Sequence, residues 1–254
     1  MPDTVKLLIF ISISLMAIIA MFFVPPIPQD PLYHQFADSN SFRSIPNTIN
    51  VLSNLVFAGV GLLGLYWLQL RNSLQVLIEI HTAYLFFFVA LVFVAIGSGY
   101  YHWAPDNLTL VWDRLPMTIA FMSFFSILLA ERISIPLARR LFPLLLIAGI
   151  ASIAYWYYSE QTGNGDLRPY ALIQLLPILL TPLILILFRS RFTRSADIWW
   201  FLVFYLLAKI FEELDTQLLD WLVVISGHSL KHIAAGVGCL VFLRHLQIRR
   251  LISA

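Results

Sequence analysis

The chain has 254 residues, 60% of them hydrophobic and 12% charged, with a mean hydropathy of +0.83. A soluble domain of this length has no use for so much apolar surface, so the composition excludes one and points to an all-α, polytopic membrane helix bundle. The net charge of +2 carries no nucleic-acid signal, and the single cysteine, Cys239, excludes an intrachain disulfide or a cysteine-based metal cluster.

Eight apolar segments have the roughly 20-residue length that spans a bilayer. In chain order they fall at 5–24, 47–70, 77–101, 109–130, 140–158, 169–188, 197–219 and 228–247. The first could be read as a secretory signal. Its apolar run, Leu7 to Val24, exceeds the usual core of about 7–15 residues, and no small-x-small cleavage site follows, so a retained helix is expected. The seventh is the least regular, because FEELDTQLLD places four acids in its last turns. No repeat, low-complexity tract or long linker appears. The expected organisation is an extra N-terminal transmembrane helix, residues 1–30, ahead of one membrane domain, residues 31–254.

Positive residues follow every second span: Arg71, then Arg132, Arg139 and Arg140, then Arg189, Arg191 and Arg194, then Arg244, Arg249 and Arg250. The alternate loops hold Arg43, Arg114 and Arg168 beside Asp30, Asp38, Asp106, Asp166, Glu213 and Asp220. Positive loops stay inside, so both termini are expected in the cytoplasm. The third span then ends on the outer side at GSGYYHW, the fourth starts there at VWDRLP, and the last starts there at SGHSLKH.

That arrangement brings His102, Asp113, His228 and His232 to one depth. His228 and His232 are four apart and share a helical face, as do Ser98 and His102. Three neutral imidazoles suit Zn²⁺ and leave a fourth position for water, which Asp113 can hydrogen-bond and deprotonate. Plainer readings stand beside this. HxxxH alone is a weak motif, and positions 229 to 231 contain no acid. Ser98 can bond back to its own helix, or ease packing beside Gly97 and Gly99. Asp113 can serve the helix dipole or pair with Arg114. His34, His81 and His245 read as solvated or interfacial. Lys231 reads as snorkelling or as the partner of an acid in the seventh span. Lys209 has helical spacing to Glu212 and Glu213, and Glu212 or Asp215 can instead orient a ligand histidine.

SGYYHW, VWDRLP eleven residues after the histidine, SGHSLKHIAAG, and IPNTINVLSNLVF at 45–57 together resemble the alkaline ceramidases and their wider CREST superfamily of membrane hydrolases and receptors. The likeness runs over roughly residues 38 to 245. It leaves the first helix as an addition, an arrangement similar to bacterial members, which implies a bacterial inner membrane. The resemblance implies a seven-helix core with Zn²⁺ on His102, His228 and His232. Asp113 orients and deprotonates water, and Ser98 assists at the tetrahedral intermediate. The implied substrate is ceramide, a lipid amide met in the membrane and cut to a sphingoid base and a fatty acid. One stretch departs from the family. Eukaryotic members hold Ca²⁺ in an acid-rich segment before the first core helix, whereas FADSNSFRSIPN offers only Asp38.

The same superfamily includes seven-helix receptors, so lipid binding with little turnover is the alternative reading. A proton or metal pathway would continue its polar groups across the midplane, where LFFFVALVFV and IAFMSFFSILL are apolar.

Overall fold

The computed structural model describes residues 1–252, and among them the chain is helical, with only isolated bridges at Phe42–Ile45 and Phe192–Leu251 outside the helices. Helix α1 (Asp3–Ala20) begins with Asp3, which suits the positive end of the helix dipole and pairs with Lys6 at 2.7 Å. It buries only Phe10, edge-on to Phe188. Prolines at 25, 26 and 28 then end helical structure. The chain crosses one end of the bundle to reach α2 (Thr48–Ser53) and α3 (Leu55–Leu65). Asn54 interrupts the second predicted span between them, and 48–70 still runs on as one membrane-length segment.

Helices α4 (His81–Trp103) and α5 (Asn107–Arg132) form a long antiparallel pair. The turn between them is set by Asp106. Its carboxylate accepts the Thr109 N–H at 2.7 Å, while the Asp106 N–H is returned to the Thr109 hydroxyl at 3.1 Å, a reciprocal cap. Helices α6 (Ile135–Gln161) and α7 (Arg168–Leu187) follow. In the loop between them Arg168 grips Asp166 through two N–H groups at 2.8 Å, and this holds the Asp166 carboxyl below its ordinary pKa. Arg168 also donates to the Val24 carbonyl at 2.6 Å, fastening the N-terminal crossing segment to this end of the bundle.

The seventh span does not run to 219. Helix α8 (Ala196–Glu213) stops at Leu214, and α9 (Asp215–Leu222) is a separate short helix. The four acids that made the segment irregular are divided at this break, Glu212 and Glu213 closing α8, Asp215 and Asp220 riding on α9. Helix α10 (Gly227–Ile248) then leaves α9 at 101°. The turn passes through Val223 at φ +65°, a left-handed conformation that costs a β-branched residue strain. By length and composition, helical segments at 3–23, 48–70, 78–103, 107–132, 135–161 and 168–187 are able to cross a membrane, and α10 joins them when taken with α9. The 18 residues of α8 carry four charged groups, Asp197, Lys209, Glu212 and Glu213, and this keeps α8 from counting among them.

The core lies in mid-bundle, where Phe87, Phe124 and Phe242 pack their rings together between α4, α5 and α10. At the bundle end away from the crossing segment, Arg249 is buried and donates to both oxygens of Glu131, at 2.7 and 2.9 Å. His245 belongs to this cluster. It is 2% exposed and bonded to Arg249 and Asp197, which overturns its reading as solvated or interfacial. Its partner Asp197 lies 48 residues away in sequence, and Glu131 lies 118 residues from Arg249, both beyond the reach of local pattern.

Candidate metal centre and lipid cavity

Two helices bring the histidines together. His102 is in the last turn of α4, and its carbonyl accepts from Asn47 Nδ2 at 2.8 Å. His228 and His232 sit in the first turns of α10, whose N-terminus is capped by the Ser226 hydroxyl and by Asp215. Asp215 Oδ1 accepts the His228 backbone N–H at 2.6 Å, and its Oδ2 accepts from Ala37 at 3.2 Å. Asp215 thus positions His228 through the main chain rather than through the ring.

Two glycines permit the close approaches. A Cβ on Gly97 would fall on the backbone carbonyl of Trp112, and one on Gly227 would fall on the carbonyl of Phe211. The first contact has a local cause. Pro116 has no N–H to give the Trp112 carbonyl four residues back, so α5 presents a free oxygen to α4. This contact sets Ser98 of α4 beside Asp113 of α5.

The imidazoles of His102, His228 and His232 form a near-equilateral triangle, with ring centroids 4.8, 5.0 and 5.0 Å apart. One nitrogen from each falls within 4.8 Å of the other two, close enough to share one ion. The rings are 1%, 7% and 5% exposed. Phe36, on the crossing segment, lies against both His102 and His228, at 4.6 and 5.0 Å, and shields them from water. Nδ1 of His102 is buried with no hydrogen-bond partner, an orphan that a cation would satisfy. Neutral imidazoles without thiolates fit Zn²⁺.

Ser53 was not legible as part of this centre, although it lies inside the 45–57 segment. Its hydroxyl approaches His232 Nδ1 at 2.8 Å. Asn50 is a second such residue. Buried completely, it accepts from the Ser229 hydroxyl at 2.6 Å and donates to the Asp38 carbonyl at 3.1 Å, tying α2 to α10 and the crossing segment.

A cavity of about 600 Å³ opens beside the triad. Ser98, Asp113 and His232 line its wall. It continues into mid-bundle between Phe87, Phe124, Phe201 and Cys239. Helices α7 and α8, though consecutive, share no packed face; α7 rests on α5 and α6, and α8 on α10. Lys231 also lines the cavity and pairs with Glu212 at 2.8 Å, while Lys209 holds the other oxygen of Glu212 at 2.7 Å. The expected pairing of Lys231 with an acid of the seventh span is present. His34 bonds to the Tyr101 hydroxyl and to Asn107, and His81 starts α4; neither joins the triad.

Neither a curated protein nor a solved structure matches this chain. A family model described as ceramidase matches residues 39–254, leaving α1 and most of the crossing segment before it. The match spans the three histidines, Ser98, Asp113 and most of the cavity lining, and on it the chain belongs to the ceramidase family.

Proposed function

We propose that this protein is a zinc-dependent intramembrane hydrolase that cleaves the amide of ceramide-like lipids to a sphingoid base and a fatty acid. The observation that carries the reading is the buried triangle of His102, His228 and His232 at the head of an apolar cavity. Family membership supports ceramide as the substrate class. Zinc on the three imidazoles would supply Lewis acidity, which lowers the pKa of water towards about 7 and polarises the carbonyl.

The remaining work falls to the chain. Asp113, one wall of the cavity, removes a proton from the attacking water as its oxygen bonds to the amide carbon, and returns a proton to nitrogen as the C–N bond breaks. Ser98 supplies a hydroxyl to the oxygen on which negative charge develops. Phe36 keeps bulk water off His102 and His228. The phenylalanines and leucines below Asp113 accept the acyl chain, burying apolar surface at about 25 cal/mol per Å². The charge pattern of the loops supports an orientation with both termini in the cytoplasm and the histidines towards the outer leaflet.

The test is fatty-acid release from ceramide by purified, zinc-saturated protein. Release that rises linearly with protein supports the hydrolase. Saturable ceramide binding without release supports the receptor reading instead.

A further inference from the structure

Arg114 follows Asp113 on α5, and the chemistry above does not use it. It is 5% exposed, and its guanidinium lies over three aromatic rings: Trp156 at 4.4 Å, Tyr170 at 4.8 Å and Tyr33 at 5.4 Å. Nη2 donates to the Gln29 side-chain oxygen at 2.8 Å. Nη1 is buried with no hydrogen-bond partner, and among the described residues no carboxylate forms a salt bridge with Arg114.

A permanently charged group held this far from water needs compensation. The aromatic faces provide part of it by cation–π attraction. They act on the flat of the guanidinium, however, and leave donors along its edge short of acceptors. Tying down the crossing segment through Gln29 is a structural task that a neutral amide would perform without the cost of burying a charge. An unpaired guanidinium is instead suited to two oxygens of an anion.

The cavity indicates where that anion would come from. Arg114 lines it together with Tyr33, Tyr170 and Leu167. Phe124, at its apolar end, is eleven residues beyond Asp113 on the same helix, about 16 Å along the axis. A lipid amide with its acyl chain in the apolar end and its scissile bond at Asp113 therefore directs its amine-side group towards Arg114.

We propose that Arg114 is a specificity-determining residue that binds an oxyanion, a carboxylate or phosphate, on the amine side of the substrate, so that this protein prefers acidic lipid amides to neutral ones. The inference rests on the lipid-amidase reading. Its test compares three amides with one oleoyl chain: N-oleoylglycine, phosphorylated N-oleoylethanolamine, and neutral N-oleoylethanolamine. The zinc-loaded wild type should favour at least one acidic amide by about 10–100-fold in kcat/KM, chiefly through KM, the scale of a charge-assisted contact. Arg114→Gln should bring the acidic-to-neutral ratio close to one, and Arg114→Lys should restore part of it. Which acidic amide is favoured identifies carboxylate or phosphate as the group read. A wild-type ratio near one overturns the proposal, as does an Arg114→Gln variant that loses acidic and neutral amides equally. Should the variants not fold, the wild-type ratio decides. Should none of the three be hydrolysed, fatty-acid release from ceramide decides whether the amidase reading holds, and Arg114 is then judged by calorimetric binding of the same lipids to wild type. Tighter binding of an acidic amide sustains its role, and equal affinities end it.

Discussion

The Ser53 hydroxyl stands 2.8 Å from Nδ1 of His232 while giving its own proton to the Asn50 carbonyl at 3.0 Å. A hydroxyl has one proton, so towards the imidazole Ser53 is an acceptor and Nδ1 carries the hydrogen. This leaves Nε2 of His232 as the unprotonated nitrogen, free to ligate a metal with His102 and His228. Ser53→Ala removes the acceptor without touching a ligand. Metal affinity should fall about 10–100-fold, the usual effect of losing such an outer partner. Competition with a calibrated chelator measures it, and an unchanged affinity would show that Ser53 has no part in orienting the ring.

Gly97 and Gly99 make a matched pair for testing the contact that joins Ser98 to Asp113. A Cβ at Gly97 meets the Trp112 carbonyl, which is backbone and cannot rotate away, whereas Gly99 has open space. Gly97→Ala should cost about 1–3 kcal/mol of stability and lower turnover, the range for overpacking a tight contact. Gly99→Ala should leave melting temperature and turnover near wild type. Equal tolerance at both positions would mean that the α4–α5 approach does not depend on Gly97.

Much of this site is legible in the sequence, and what is not has a physical pattern. The i, i+4 spacings at 98/102 and 228/232, and the alternation of arginine-bearing loops, are local signals that survive without knowledge of the fold. A pairing of Lys231 with an acid of the seventh span was legible as one of two readings, but not that the acid is Glu212. Contacts between distant segments are another matter. Ser53 and His232 are 179 residues apart, Phe36 reaches the triad from a loop, and His245 is buried only because Arg249 and Glu131 enclose it. The break at Leu214 was marked by the four acids of FEELDTQLLD, but its position was not. Only the close seat of Gly227 on Phe211 and Asp215 forces the chain to turn there.

Orientation is open to labelling because the single cysteine, Cys239, is buried and gives little background. A cysteine at Asn164, in the exposed α6–α7 loop, should react with an impermeant thiol reagent added outside the cell. One at Arg191, between α7 and α8, should react only after permeabilisation, since positive loops remain inside. The reversed pattern would put the triad at the cytoplasmic leaflet.

Asp113 is where metal binding and chemistry separate. Asp113→Asn keeps the size of the side chain and removes its capacity to take a proton. Zinc content should stay near wild type while turnover falls by about 10²–10⁴, the range of general acid–base contributions. Zinc and activity lost together would make Asp113 a ligand. Near-normal hydrolysis by a well-folded Asn variant would remove it from the mechanism.

Metal analysis of purified protein tests the three-histidine centre directly. Wild type should hold about one zinc per chain, the stoichiometry of a single three-histidine centre. The His228→Ala/His232→Ala double variant should retain less than about a tenth of that, one ligand being too few for a stable site. Full zinc occupancy in the double variant, or none in wild type supplied with zinc, would contradict the assignment.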